Sequence, residues 1–285
     1  MNHKIKICVV NIIVVCLFSI VGCESSSNGA AQDDAKPQAA TQPIDNKTDP
    51  FVASIDKIYD SLLKEIITSK GLVRYDLLSK QQYKDKLNAI AAGYALVALK
   101  GSQNAQLAIL CNAYNVHVLK QVIDRFDEEK HNSVKDISGF FNRTKFIVAQ
   151  IEMTLDDIEN KYVRPKSDPR IHAALVCAAY GCPPLRNEPY TAEKLDDQLD
   201  SQCRTWINDK SKFKIKDQEL GISKIMKWYK KDFSLKPYEN AVDFVRQFAN
   251  QDTELGKFLA SKANNQVETF YMDYNWNLNK AQIPN

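Results

Sequence analysis

Apolar and polar positions change period several times along this chain, and each change marks an element. From Phe51 onward Ile55, Ile58, Tyr59, Leu62, Leu63, Ile66 and Ile67 recur at spacings of three and four, which predicts an amphipathic helix with one broad buried face. Gly71 ends that pattern, and residues 72–75 predict a short extended segment. An alanine-rich helix is expected over residues 83–99, stopped by Gly101. Residues 107–119 are apolar on nearly all sides and too long for an ordinary buried strand, so a central helix is expected there.

Further along, residues 144–151 predict a strand, and Thr154 is placed to cap a helix whose third position is Asp157. Residues 171–177 read as a buried strand, and residues 180–185 as a rigid turn built on Gly181, Pro183 and Pro184. Leu195, Leu199, Cys203, Trp206 and Ile207 form a helical stripe that places Cys203 in a packed face. Short helices follow around Ile222 to Tyr229 and Val242 to Phe248, and alternation from Phe270 predicts a terminal strand. Together these elements predict an α+β fold, with a central helix and surrounding helices against a small, mainly antiparallel sheet.

Two segments lie outside this pattern. Residues 7–21 are almost wholly apolar, follow Lys4 and Lys6, and lead through Gly22 to Cys23. The run is short for a permanent span, which needs about 20 residues, and it resembles a bacterial lipoprotein signal. Residues 1–22 would then be removed, and Cys23 would carry the lipid, palmitate included, that ties the protein to a membrane. Glu24 is not the aspartate that retains such proteins at the inner membrane, so an outer-membrane lipoprotein of the cell envelope is expected, facing the periplasm or the surface. Residues 24–50 hold few large apolar side chains and predict a flexible tether. The remainder, residues 51–285, is long enough for a single domain with a proper core. Removing the leader lowers the formal charge from +3 to about +1, a balance that offers no basic surface for nucleic acid.

The candidate chemistry is concentrated in a few places. Asn112 and Asn115 share a face of the central helix, with Tyr114 and His117 on a neighbouring one, and buried amides need partners or a cleft. Glu159 follows the cap and is a free carboxylate candidate. Between Asp168 and Leu185 lie Arg170, His172, Cys177 and Cys182. On a straight strand Cys177 would point away from His172, so Cys182, returning through the turn, is the better thiol for a Cys-His pair. An exported protein also forms disulfides, and a local Cys177–Cys182 bridge competes with that pairing. No cofactor is expected, and His172 with the two cysteines lacks the regular spacing of a zinc framework.

Several of these segments resemble the bacterial DUF547 family. The likeness runs from Val73 to Asn279 and rests on Asn112-Ala113-Tyr114-Asn115, Leu155-Asp156-Asp157-Ile158-Glu159, the stretch from Asp168 to Cys177, Cys182-Pro183-Pro184-Leu185, the segment from Trp228 to Phe233, and the ending Tyr274-Asn275-Trp276-Asn277-Leu278-Asn279. Asn160 stands where members usually have a histidine, Asn275 replaces a usual acid, and Cys111 replaces a plain apolar residue. The resemblance implies a distant likeness to papain or transglutaminase folds, with asparagines on the helix that carries cysteine in those enzymes.

The leading expectation is a lipid-anchored envelope protein that binds a peptide or glycan-peptide ligand through Asn112, Asn115, Arg170, His172 and Trp276. The alternative is a cysteine-dependent hydrolase or acyltransferase acting on envelope peptides. In that reading Cys182 attacks, His172 transfers the proton, and Asn112, Asn115 or Glu159 orients or stabilises. A structural or assembly role is the third reading.

Overall fold

The computed structural model describes residues 47–282, which fall in one compact unit. The leader, the lipid attachment at Cys23 and the tether as far as residue 46 lie outside the described residues. Helix α1 (Pro50–Ile66) begins where Asp49 accepts a hydrogen bond from the Phe51 amide, and Pro50 fits the first turn. Its residues Val52, Ile55, Tyr59, Leu62, Leu63 and Ile66 are buried, but Phe51 and Ile58 are about half exposed. The expected stripe is too wide for a helix of 3.6 residues per turn to bury whole. After α2 (Tyr75–Leu78), α3 (Gln81–Leu96) packs so closely on α1 that a Cβ at Gly93 would lie 2.7 Å from Ile55 Cγ1. Helix α4 (Gln103–Arg125), capped by Ser102, is buried at every position from Leu107 to Leu119, as its all-round apolar pattern requires.

The expected strand over residues 144–151 is instead a hairpin of β1 (Phe146–Val148) and β2 (Ile151–Met153). Ala149 and Gln150 turn it with φ of 51° and 64°. Their amides donate to the carbonyls of Tyr94 and Ala95, so the turn satisfies groups that the end of α3 leaves open. Thr154 and Asp157 form a reciprocal capping box at α5 (Leu155–Asp157), which runs into a π-helical turn, Ile158–Val163, that carries Glu159.

The expected strand over 171–177 is corrected to a single helical turn, α6 (Ile171–Ala174). Asp168 Oδ1 accepts from the Arg170 amide, and the amides of His172, Ala173 and Leu175 donate back to Pro169, Arg170 and Ile171. An Asp-Pro start thus closes a turn before any strand partner is reached. Helix α7 (Leu195–Ile207) follows, with Cys203 in its buried face.

A second sheet has the order β3 (Lys214–Lys216), β4 (Glu219–Ile222), β5 (Thr269–Tyr271); β3 pairs antiparallel with β4, and β4 parallel with β5. Between β4 and β5 come α8 (Lys224–Trp228), α9 (Ala241–Phe248) and α10 (Glu254–Ala260). The fold is therefore α+β, with helices around two small, mostly antiparallel sheets where one was expected. One core cluster surrounds α4, and a second gathers Trp206, Phe213, Phe233 and Phe244; Tyr274 packs against both. The stretch after β5 bridges Asn277 to Ser133, Leu278 to Ala179 and Lys280 to Val73, which fixes it across the first core.

Candidate functional site

A cleft of about 260 Å³ opens where the two cores meet. Tyr114 of α4, Glu159 and Asp156 form one side, and His172 with the Cys177–Cys182 bridge forms the floor. Trp228 and Tyr229 at the end of α8 face Tyr274 and Trp276 from the C-terminal stretch. Gly181 is what lets that stretch approach. Its amide donates to the Asn275 carbonyl at 2.7 Å, and a Cβ there would meet the Asn275 backbone at 3.0 Å.

The aromatic wall is continuous. Trp228 lies 4.9 Å from Tyr274 and 5.6 Å from Trp276, ring centre to ring centre, and Tyr274 lies 4.6 Å from Trp276. Lys135 Nζ covers Trp276 at 4.5 Å. Glu159 forms no ion pair among the described residues, and its charge reaches three phenols. Burial first, and then the Glu159 charge, push the hydroxyls of Tyr114, Tyr229 and Tyr274 above the usual tyrosine range. All three therefore stay protonated as donors at neutral pH.

His172 is held tightly. Its Nε2 lies 2.8 Å from Asp232 Oδ2, and its ring is 4.2 Å from Tyr229 and 5.2 Å from Phe233. Arg164 grips the same carboxylate through Nε at 2.7 Å and a terminal nitrogen at 3.0 Å. Burial alone would raise the Asp232 pKa, but the bonds from His172 and Arg164 hold it well below the usual carboxylate range. An ionised Asp232 accepts from Nε2–H, so Nδ1 is the ring nitrogen left for another partner.

The Cys-His pair is not formed. Cys182 is bonded to Cys177, and the bridge is itself contacted by the Tyr274 hydroxyl, at 3.0 Å from Cys182 Sγ and 3.2 Å from Cys177 Sγ. Cys111 and Cys203 keep free thiols but are buried, and burial, reinforced by Asp168, pushes the Cys111 thiol up to about 12. Neither is an accessible nucleophile.

Of the residues singled out in the sequence, Glu159, His172, Cys182 and Trp276 converge on the cleft. Asn112, Asn115 and Arg170 do not line it. Asn112 clamps Tyr190, accepting from its amide at 2.9 Å and donating to its carbonyl at 2.8 Å. Asn115 accepts from the Val176 amide at 3.0 Å and donates to the Ala174 carbonyl at 2.9 Å. Both amides thus fasten α4 to the chain on either side of the bridge. Arg170 is enclosed by Asp168, Asp196 and Asp200.

Asp232, Tyr229, Trp228 and Tyr274 carry as much of the site; all four lie in segments that the family resemblance includes, and none was expected as a site residue. Trp228, 46% exposed beside buried Ile225 and Met226, was the available signal, because a large apolar side chain off the buried stripe of a helix marks a contact surface.

The described residues contain no group of three or more His, Cys, Asp or Glu side chains arranged to hold a metal ion. No curated protein and no solved structure matches the chain. Residues 99–207 match the family described as "Protein of unknown function, DUF547", a shorter reach than the motif likeness from Val73 to Asn279. That stretch supplies Tyr114, Glu159, His172 and the cysteine bridge, while Asp232 and the tryptophan wall come from beyond it. The chain thus contains, from just before α4 to the end of α7, a domain of the DUF547 family.

Proposed function

We propose that the protein is a lipid-anchored component of the bacterial cell envelope, held by Cys23 at the outer membrane, whose aromatic cleft binds a peptide or glycan-peptide fragment without turnover. The observation that carries this reading is the position of Glu159: a carboxylate without an ion-pair partner among the described residues, electrostatically coupled to three tyrosines and facing the Trp228–Trp276 wall. Indole faces stack on the apolar face of a sugar or on a planar amide, and a carboxylate among phenols accepts hydroxyl or amino hydrogens. Such a mixture suits a ligand that is half apolar and half donor.

The test is a titration of the purified chain with soluble glycan-peptide fragments of bacterial cell wall, read by tryptophan fluorescence. Saturable quenching is expected, weakened about tenfold or more in Glu159→Gln, since a hydrogen bond to a charged group is worth about 1.5–3 kcal/mol. An identical response in Glu159→Gln and Trp276→Ala, or no response in the parent, defeats the reading.

The alternative, cysteine-dependent hydrolysis or acyl transfer on a papain-like frame, requires the Cys177–Cys182 bridge to be reduced first. The His172–Asp232 pair favours it, because a third group that orients the histidine belongs to that chemistry. Turnover of envelope peptides only in the presence of a reductant, abolished by Cys182→Ala, would select this reading over binding alone.

A further inference from the structure

A second cavity, which shares no lining residue with the aromatic cleft, has about 750 Å³ between the start of α1, the end of α3 and the start of α4. Val52, Val97 and Ile109 give it apolar walls, and Phe51 and Leu96, 48% and 67% exposed, stand at its mouth. Apolar side chains this open, gathered around one opening, mark a contact site rather than scattered surface. At the cavity lies Asp56, a carboxylate only 6% exposed. Its Oδ1 accepts from the Tyr94 hydroxyl at 2.5 Å and, weakly, from Asn112 at 3.5 Å. Its Oδ2 has no hydrogen-bond partner among the described residues.

A buried carboxylate oxygen without a donor is costly. Protonating it does not remove the difficulty, since the new O–H would in turn need an acceptor. The groups that face Asp56 supply no cation: Tyr59 on its own helix, Tyr94 from α3, Asn112 from α4, and Glu193, which raises rather than lowers its pKa. Lys47 and Lys100 edge the cavity without forming an ion pair to it. The missing partner is a donor, preferably a cationic one, with an apolar body behind it.

We infer that this cavity is a second ligand site, selective for a small amphipathic amine whose ammonium group bonds the Asp56 carboxylate as that side chain turns its enclosed, unpartnered Oδ2 toward the cavity, while the hydrocarbon lies between α1, α3 and α4. Burial, opposed by the Tyr94 bond, lifts the Asp56 carboxyl to about 6. Occupancy by an amine therefore weakens as the pH falls below that value, by about tenfold per unit once the carboxyl is mostly protonated.

The experiment is calorimetric titration of the full chain at pH 7.5 with n-hexylamine, n-hexanol and hexanoate. The amine is expected to bind at least tenfold more tightly than the alcohol, and hexanoate not at all. Asp56→Asn removes that preference. Ala98→Trp, which adds bulk to the cavity lining from an exposed position and leaves Asp56 itself unchanged, abolishes binding of the amine and keeps the test decisive if Asp56→Asn fails to fold. Equal affinity for amine and alcohol, no binding of the amine, or amine binding unchanged in Ala98→Trp overturns the inference. Glu159→Gln leaves hexylamine binding intact, which separates this site from the aromatic cleft; a loss there assigns the amine to that cleft and overturns the inference.

Discussion

His172 and Asp232 share a 2.8 Å hydrogen bond that joins a turn of the DUF547 domain to a segment outside it. Removing the charge by Asp232→Asn is expected to cost about 1.5–3 kcal/mol, the worth of a hydrogen bond to a charged group. The pH dependence follows from the direction of the shift. Asp232 is depressed in the folded state, so its contribution is fully present above its ordinary value near 3.8 and is lost as the pH falls below it. Urea unfolding at pH 7 and pH 3 checks this: the gap between parent and Asp232→Asn narrows at the lower pH.

His117 behaves in the opposite sense from a paired histidine. Both ring nitrogens lack a hydrogen-bond partner among the described residues, the ring stacks on Phe146 at 4.2 Å, and burial, then Lys120, lower its pKa from 6.5 to about 4. The unfolded chain takes up the proton first, so stability is whole above about pH 6.5 and declines as the pH falls toward 4. The decline from this group amounts to about 3 kcal/mol, at 1.36 kcal/mol per pKa unit. His117→Leu is expected to flatten that part of the stability–pH curve while leaving stability at pH 8 little changed.

Asn115→Ala strands the Val176 amide and the Ala174 carbonyl together. Each unpaired buried group costs about 1–3 kcal/mol, so a large fall in melting temperature is expected by calorimetry. The folded fraction should still quench with a cleft ligand. Loss of binding in a fully folded Asn115→Ala protein would instead give the amide a place in the site.

The Cys177–Cys182 bridge closes a small loop, and chain-entropy reasoning gives it about 2 kcal/mol. Alkylation of the unfolded, unreduced protein should label Cys111 and Cys203 but leave the peptide with Cys177 and Cys182 unmodified until a reductant is added. Labelling of that peptide without reductant contradicts the bridge.

Long elements were legible because their signal is periodic and local. The buried α4 and the stripes of α1 and α7 follow from apolar spacing alone, and the Thr154–Asp157 cap from two residues three apart. Residues 171–177 misled because a short apolar run reads alike as a buried strand or a buried turn; the Asp168 side chain, bonding its own backbone, decided between them. The site was legible only in part. Glu159, His172 and Trp276 stand out as polar or aromatic residues off any periodic apolar stripe, but the bond from His172 to Asp232 spans sixty positions, and no local pattern encodes a contact of that range. Asn112 and Asn115 attracted attention for the right reason, since buried amides must be paired; their partners are main chain, which any sequence possesses.

The bridges that hold Asn277, Leu278 and Lys280 against Ser133, Ala179 and Val73 bear on the order in which the cleft comes into being. Tyr114 and Glu159 emerge early during synthesis, whereas Tyr274 and Trp276 follow only after both cores have been made. Residues 99–207 therefore supply one side and the floor of the cleft before the C-terminal part of its wall has been made. Tyr274 and Trp276 are thus the last of the cleft's residues in chain order, and a truncation before Tyr274 leaves the rest of the cleft without that part of its aromatic wall.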